Sequence, residues 1–139
     1  MKTFYRKILL VLVICIIAFS GYAQNFIGLY KQDIRKKVKV DYPGFVFEKE
    51  VLNGNKSFLK YVNTFDEQTV LFILDENGYC TKMARMYNSW LLDDLKKEFD
   101  TKYKKKGSLT WLDNTSGKVY EIVIKKGDWF ITVITRPKK

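Results

Sequence analysis

Histidine is absent from this chain of 139 residues. That excludes every mechanism that needs an imidazole: Ser-His-Asp hydrolysis, Cys-His proteolysis, HExxH metalloprotease chemistry and His-based zinc sites. Cysteine is scarce, with Cys15 and Cys80 alone, so there is no Cys-x-x-Cys pair for metal or thiol exchange. The glycines Gly54, Gly78, Gly107, Gly117 and Gly127 stand singly between other elements, so no glycine-rich loop is available to cradle a phosphate. Acid is in the minority: 15 Asp and Glu face 25 Lys and Arg, a formal charge of +10. The length suits one domain and leaves little room for a second core.

What is present begins with an export pattern. Lys2, Arg6 and Lys7 precede an uncharged apolar run at 8–19, and small residues follow, ending in Gly21-Tyr22-Ala23. This is the charged, apolar and cleavage-site order of a secretory signal. A helix of that run is about 18 Å long against a hydrocarbon core of about 30 Å, which disfavours a spanning anchor. Cys15 lies inside the apolar run behind Ile14, which does not suit lipoprotein processing. The expectation is a cleaved signal at 1–23, a single mature α+β domain at 24–139, and an exported location, periplasmic or extracellular, with envelope association open. Loss of the signal's three cations leaves a formal charge of +7, and Cys80 remains as a lone thiol, expected buried and inert.

Tyr30, Ile34 and Val38 recur every four residues among lysines and acids, which predicts an amphipathic helix over 30–41, stopped by Pro43-Gly44. Strand-like runs follow at 45–52, 57–65, 69–74 and 79–87, broken by Asn53-Gly54, Asp66-Glu67 and Asn77-Gly78. Leu91, Leu95, Phe99 and Tyr103 make a second helical ladder, capped by Asn88 or Ser89, with Lys102 and Lys104 to Lys106 in its basic C-terminal half. Strands are expected again at 108–113, 118–125 and 129–135, with a basic tail at 136–139 that Pro137 keeps off the sheet. The order is α-β-β-β-β-α-β-β-β, and the short turns require mostly antiparallel pairing. The predicted fold class is α+β in two layers, an antiparallel sheet with both helices on one face. The ladder from Tyr30 to Tyr42 matches the ladder from Leu91 to Tyr103 at a constant offset, so a degenerate tandem of 24–87 and 88–139 is an open alternative to one undivided unit.

Catalytic readings fare poorly. Asp66-Glu67 and Asp75-Glu76 are adjacent pairs in turns, whereas paired-carboxylate catalysis needs two carboxyls facing across a cleft. Ser57 and Lys60 have Ser-x-x-Lys spacing, but a strand sends residues three apart to opposite faces, and the partner motifs of that chemistry are missing. No catalytic residue, metal ligand or cofactor is assigned.

Two compositional biases remain. The first is a basic surface expected on the helices: Arg35, Lys36 and Lys39 on the first, with Lys97, Lys104 and Lys105 on the second. Such a layer attracts lipid headgroups, acidic glycans or acidic protein faces; export argues against nucleic acid. The second is aromatic: Tyr61, Tyr120 and Trp111 fall in strands, where they serve either as core or as a platform on the helix-free face.

The signal ending in Gly21-Tyr22-Ala23-Gln24, the stretch Leu74 to Thr81, and Trp111-Leu112-Asp113 with Lys126-Gly127-Asp128-Trp129 resemble small exported proteins of Bacteroidetes. The order of helix followed by strand meander is remotely similar to the beta-lactamase-inhibitor-like fold shared by small outer-membrane assembly lipoproteins. The resemblance implies protein binding without catalysis, and it transfers no functional residue. The functional expectation is an exported, non-enzymatic binding domain for a protein or an anionic envelope component. A subunit of a larger envelope complex and a small hydrolase with a carboxylate/lysine site are the alternatives. The chain is expected not to span the membrane after signal removal; oligomeric state is not readable.

Overall fold

A computed structural model describes residues 26–139. The signal, its cleavage point and Cys15 lie outside the described residues.

Helix α1 (Lys31–Asp41) forms where the four-residue ladder placed it, and it buries Ile34 and Val38. Asp33 sits in its first turn and Lys39 in its last, as the helix dipole favours. Pro43 disfavours helical backbone for Tyr42, and Tyr42 leaves the helix while its N–H still bonds the Val38 carbonyl. Helix α2 (Leu92–Lys102) buries Leu95 and Phe99 and carries Asp93 and Asp94 in its first turn. A 3₁₀ turn over Ser89–Leu91 leads into it. The expected side-chain cap is not made; Asn88 gives its amide to Glu67 instead, at 2.9 Å.

Eight strands form one antiparallel sheet: β1 (Val46–Asn53), β2 (Lys56–Asn63), β3 (Gln68–Leu74), β4 (Cys80–Asn88), β5 (Lys104–Gly107), β6 (Thr110–Asp113), β7 (Tyr120–Lys126) and β8 (Phe130–Pro137). Their order is β1-β2-β3-β4-β8-β7-β6-β5. The fold class is therefore the α+β arrangement expected, with one strand more than the seven read from sequence. The extra strand is β5. Lys104 and Lys105 do not extend the helix; they pair with Leu112 and Trp111. Three consecutive lysines carry no strand periodicity, so only the bare edge of β6 reveals the pairing, and a short, charged strand suits that exposed edge. The tail also differs: β8 runs on to Pro137, and Arg136 pairs with Glu121. Proline is tolerated there because it ends the strand.

Register assigns the two faces. Directly opposed residues share a face, so Leu59, Phe72, Met83, Thr135, Ile122 and Trp111 form one row across six strands. Ile34 and Val38 pack with the β2–β4 end of this side, in a core with Phe26, Leu59, Tyr61, Val70 and Phe72. Leu95 and Phe99 pack with the other end, in a core with Trp111, Ile122, Ile124, Ile131 and Val133. Both helices thus lie on one face, each over its own half of the sheet. Between the halves, Arg85 stands with its guanidinium 5.0 to 5.1 Å from the rings of Tyr42, Phe45 and Tyr87. Its Nη2 donates to Gln68 Oε1 at 2.6 Å.

The β3–β4 turn depends on Gly78, whose φ of 85° is costly for any residue with a Cβ. An added Cβ would also stand 2.8 Å from the Tyr30 ring. This close approach lets Lys31 N–H bond the Gly78 carbonyl and fastens α1 to the sheet.

Candidate functional site

The face opposite the helices carries the next row: Lys60, Leu71, Ala84, Ile134, Val123 and Thr110. Its centre is apolar because the central strands alternate apolar residues on both parities. Toward the end of the sheet where β4 begins and β8 ends, the character changes. Phe58, Ile73 and Lys82 oppose one another on β2, β3 and β4, while Arg136, Glu121, Leu112 and Lys104 do so on β8, β7, β6 and β5.

A groove of about 720 Å³ lies here. Lys56, Lys82, Lys106, Arg136, Lys138 and Lys139 line it, with Ile73 and Pro137 as its apolar part. Among the described residues, one carboxylate, Glu121, answers these cations. Arg136 donates to Glu121 Oε1 through Nη2 at 2.7 Å and Nε at 3.1 Å, and Lys106 Nζ is 3.3 Å from Oε2. The Arg136 guanidinium, with help from Lys106, holds the Glu121 carboxyl below the usual glutamate range. Among the described residues, Lys56, Lys82, Lys138 and Lys139 have no carboxylate within ion-pair distance. The groove therefore carries a surplus of positive charge over a partly apolar floor, a combination that draws anionic ligands and gives them an apolar contact.

The residues singled out from sequence are distributed otherwise. Tyr61, Trp111 and Tyr120 are 4 %, 0 % and 8 % exposed on the helix side, so they are core and not a platform on the open face. Strand parity alone does not say which parity meets the helices. Arg35 is spent on Glu50, at 3.3 Å, and lies over the Phe47 ring. Lys36 and Lys39 on α1 and Lys97 on α2 are exposed, over different halves of the sheet. Lys104 and Lys105 belong to β5 and point to opposite faces; Lys105 Nζ is 3.6 Å from Asp100. The sequence marks Lys106 and the 136–139 tail as basic, but nothing local joins them to Lys56 and Lys82. The usable signal is parity: Lys82 and Arg136 alternate with residues that the helices cover.

The remaining candidates have structural roles. Asp66 Oδ2 accepts from Asn63 and Glu67 Oε2 from Asn88, while Asp75 Oδ1 accepts the Asn77 and Tyr79 amides. Ser57 shares the helix side with Leu74, whereas Lys60 faces Leu71 on the open side and bonds Glu48 at 2.7 Å. The Ser-x-x-Lys spacing thus points two ways. Cys80 is buried, and desolvation pushes its thiol up to about 12. Among the described residues, no group of three or more Cys, Asp or Glu is placed to hold a metal ion, and no helix is long and apolar enough to cross a membrane.

No protein-family model, curated protein or solved structure matches this chain. Function therefore rests on the site's own geometry.

Proposed function

We propose that this protein is an exported, non-enzymatic binding domain whose open sheet face holds an acidic protein segment in the basic groove. The observation that carries the reading is the surplus of cations in the groove: six line it against Glu121 alone. Its apolar floor at Ile73 and Pro137, beside the partly buried Leu71 and Val123 of the same face, favours a peptide bearing both acidic and apolar side chains over a purely polar polyanion. The signal pattern at 1–23 supports action outside the cytoplasm. A hydrolase finds less support, because both oxygens of Glu121 are engaged by cations that keep it ionised, the opposite of a proton donor.

The apolar centre of the same face, with Leu71 and Val123 only partly buried and Ala84 and Ile134 buried, leaves a second reading, a subunit whose open face is covered within a larger envelope complex. A chain that is a stable monomer in its native envelope extract would exclude it.

The primary test is fluorescence anisotropy of the exported protein with three labelled probes: poly-glutamate, a peptide of equal charge with interspersed leucines, and polyphosphate. The leucine-containing peptide should bind tightest, and Lys82→Glu with Lys138→Glu should weaken it at least about tenfold, or about 1.4 kcal/mol. Equal binding of all three probes would point to a nonspecific polyanion surface or an anionic envelope polymer. Binding indifferent to the charge reversals would dispose of the groove.

A further inference from the structure

The two ends of the central strands carry opposite charge. The basic groove lies where β4 begins and β8 ends. At the other end, where β4 finishes and β8 begins, Phe65, Trp90, Trp129 and Phe130 are 94 %, 74 %, 80 % and 51 % exposed. Large aromatics are rarely this open unless something covers them. The fold gathers the segments that bear them. Ser89 N–H bonds the Trp129 carbonyl at 3.2 Å, and the Asn88 amide donates to Glu67 at 2.9 Å, which brings in the β2–β3 turn with Phe65.

Carboxylates accompany these rings. Asp93 and Asp94 follow Trp90 by three and four residues as the 3₁₀ turn runs into α2, a spacing that places them beside it. Asp128 precedes Trp129 at the tip of the β7–β8 turn, which Gly127 N–H closes by bonding the Phe130 carbonyl at 2.9 Å. Asp66 and Glu67 follow Phe65. All five carboxylates are exposed, and among the described residues none has a cation within ion-pair distance. Lys125 and Lys126 stand against them at the end of β7, and one turn along α2 Lys96 and Lys97 accompany Glu98. This end remains net acidic, in a chain that is basic as a whole.

Acidic and apolar side chains are what the groove, with its surplus cations and its floor at Ile73 and Pro137, would take up. The run of β8 from Phe130 to Arg136 puts about 20 Å between the two surfaces, at about 3.3 Å per residue. One chain therefore cannot bring its own pair together, but two copies can. The net positive charge opposes random approach of copies, and the acidic end entering the groove is the orientation that charge favours.

We infer that the acidic aromatic end of one copy docks in the basic groove of the next, with Trp90 and Trp129 against its apolar floor and Asp93, Asp94 and Asp128 among its lysines. This rests on the reading of the groove as a site for acidic and apolar side chains, and it names a second copy as their source. The contact joins two different surfaces at opposite ends, so it repeats from copy to copy instead of closing as a two-fold dimer.

Sedimentation velocity of the exported protein at low salt, from about 1 μM to about 1 mM, should give an average mass that climbs past two copies. Lys82→Glu/Lys138→Glu and Asp93→Lys/Asp128→Lys should each weaken association at least about tenfold. An equimolar mixture of these two variants should associate again, because each altered surface then meets one of opposite sign. Trp90→Ala/Trp129→Ala should dissociate the assembly without changing the charge. Trp111, buried and bonded to Asp100, is kept in every variant, and its emission reports folding. A protein that stays monomeric, a mass that stops at two copies, or a mixture that fails to associate overturns the inference. If the monomeric protein still binds the leucine-containing acidic peptide, the inference alone falls and the groove reading stands; if it binds no peptide either, both fall.

Discussion

Trp111 donates its indole N–H to Asp100 across 2.9 Å, joining the buried middle of β6 to the last turn of α2. Phe99, one residue before Asp100, meets the same indole edge-on with centroids 5.3 Å apart. One helical turn therefore supplies both the apolar and the polar partner of the largest buried side chain. A carboxylate near a helix C-terminus is disfavoured by the dipole, and the indole bond and nearby Lys105 offset that cost.

The Trp111 hydrogen bond, reinforced by Lys105, holds the Asp100 carboxyl below its ordinary value of 3.8. A lowered folded-state value adds stability that is complete above 3.8 and is lost as pH falls through the folded value. Asp100→Asn should therefore melt below the unaltered protein at neutral pH, and the difference should close below pH 3.8. Thermal melts across the acid range check this; a difference that persists at the lowest pH would refute it.

Arg85 fills the seam between the two halves, against Tyr42, Phe45 and Tyr87. A planar guanidinium can stack on rings while bonding Gln68, and an ammonium cannot do both. Arg85→Lys should cost about 1–2 kcal/mol in urea unfolding. An effect as small as that of an exposed surface lysine substitution would show that the stacking contributes nothing.

The same seam predicts an alkaline limit. Burial raises the Tyr87 phenol to about 12 and also raises Tyr42, in each case against the opposing pull of Arg85. A raised folded value contributes stability below the ordinary tyrosine value of 10 that disappears as pH climbs toward the folded one. Unfolding should set in between pH 10 and 12, and Tyr87→Phe should make that loss shallower. Absorbance titration of the phenols alongside circular dichroism tests it.

Cys80 should be inert. With its thiol at about 12 and its side chain buried, roughly one molecule in ten thousand is thiolate at pH 8. Labelling by a disulfide reagent should be slow in the native protein and complete within the mixing time in denaturant. Rapid native labelling would mean that the thiol is accessible.

Phe72 and Phe65 make a matched pair. Phe72 is fully buried, 4.9 Å from the Phe26 ring and edge-on to Tyr61. Phe72→Ala should cost about 3–5 kcal/mol, whereas Phe65→Ala, at an exposed turn, should stay within about 0.5 kcal/mol. Comparable losses would contradict the burial of Phe72 in the core and the exposure of Phe65.

Local patterns carried much of this fold. Ladders every four residues marked α1 and α2, isolated Asn-Gly steps marked hairpins, and the short turns between strands required mostly antiparallel pairing. These follow from backbone geometry, which acts over a few residues and so leaves its trace in neighbouring letters. Strand parity also separates two sets of side chains on β2, Leu59 with Tyr61 and Phe58 with Val62.

Which set meets the helices is not a local property. It is settled by the side on which Ile34, Val38, Leu95 and Phe99 come to rest, and that choice buried Tyr61, Trp111 and Tyr120 while exposing Lys82 and Arg136. Long-range pairing likewise turned Lys104 to Gly107 into an edge strand, because β6 offered unpaired backbone groups. The groove and the aromatic end arise in the same way. Lys56 and Lys106 line one groove, and Phe65 and Trp129 share one end, only because β4 and β8 pair in the middle of the sheet. Hydrophobic burial selects that pairing for the whole chain at once, so it shapes the surface from residues that no short stretch of sequence connects.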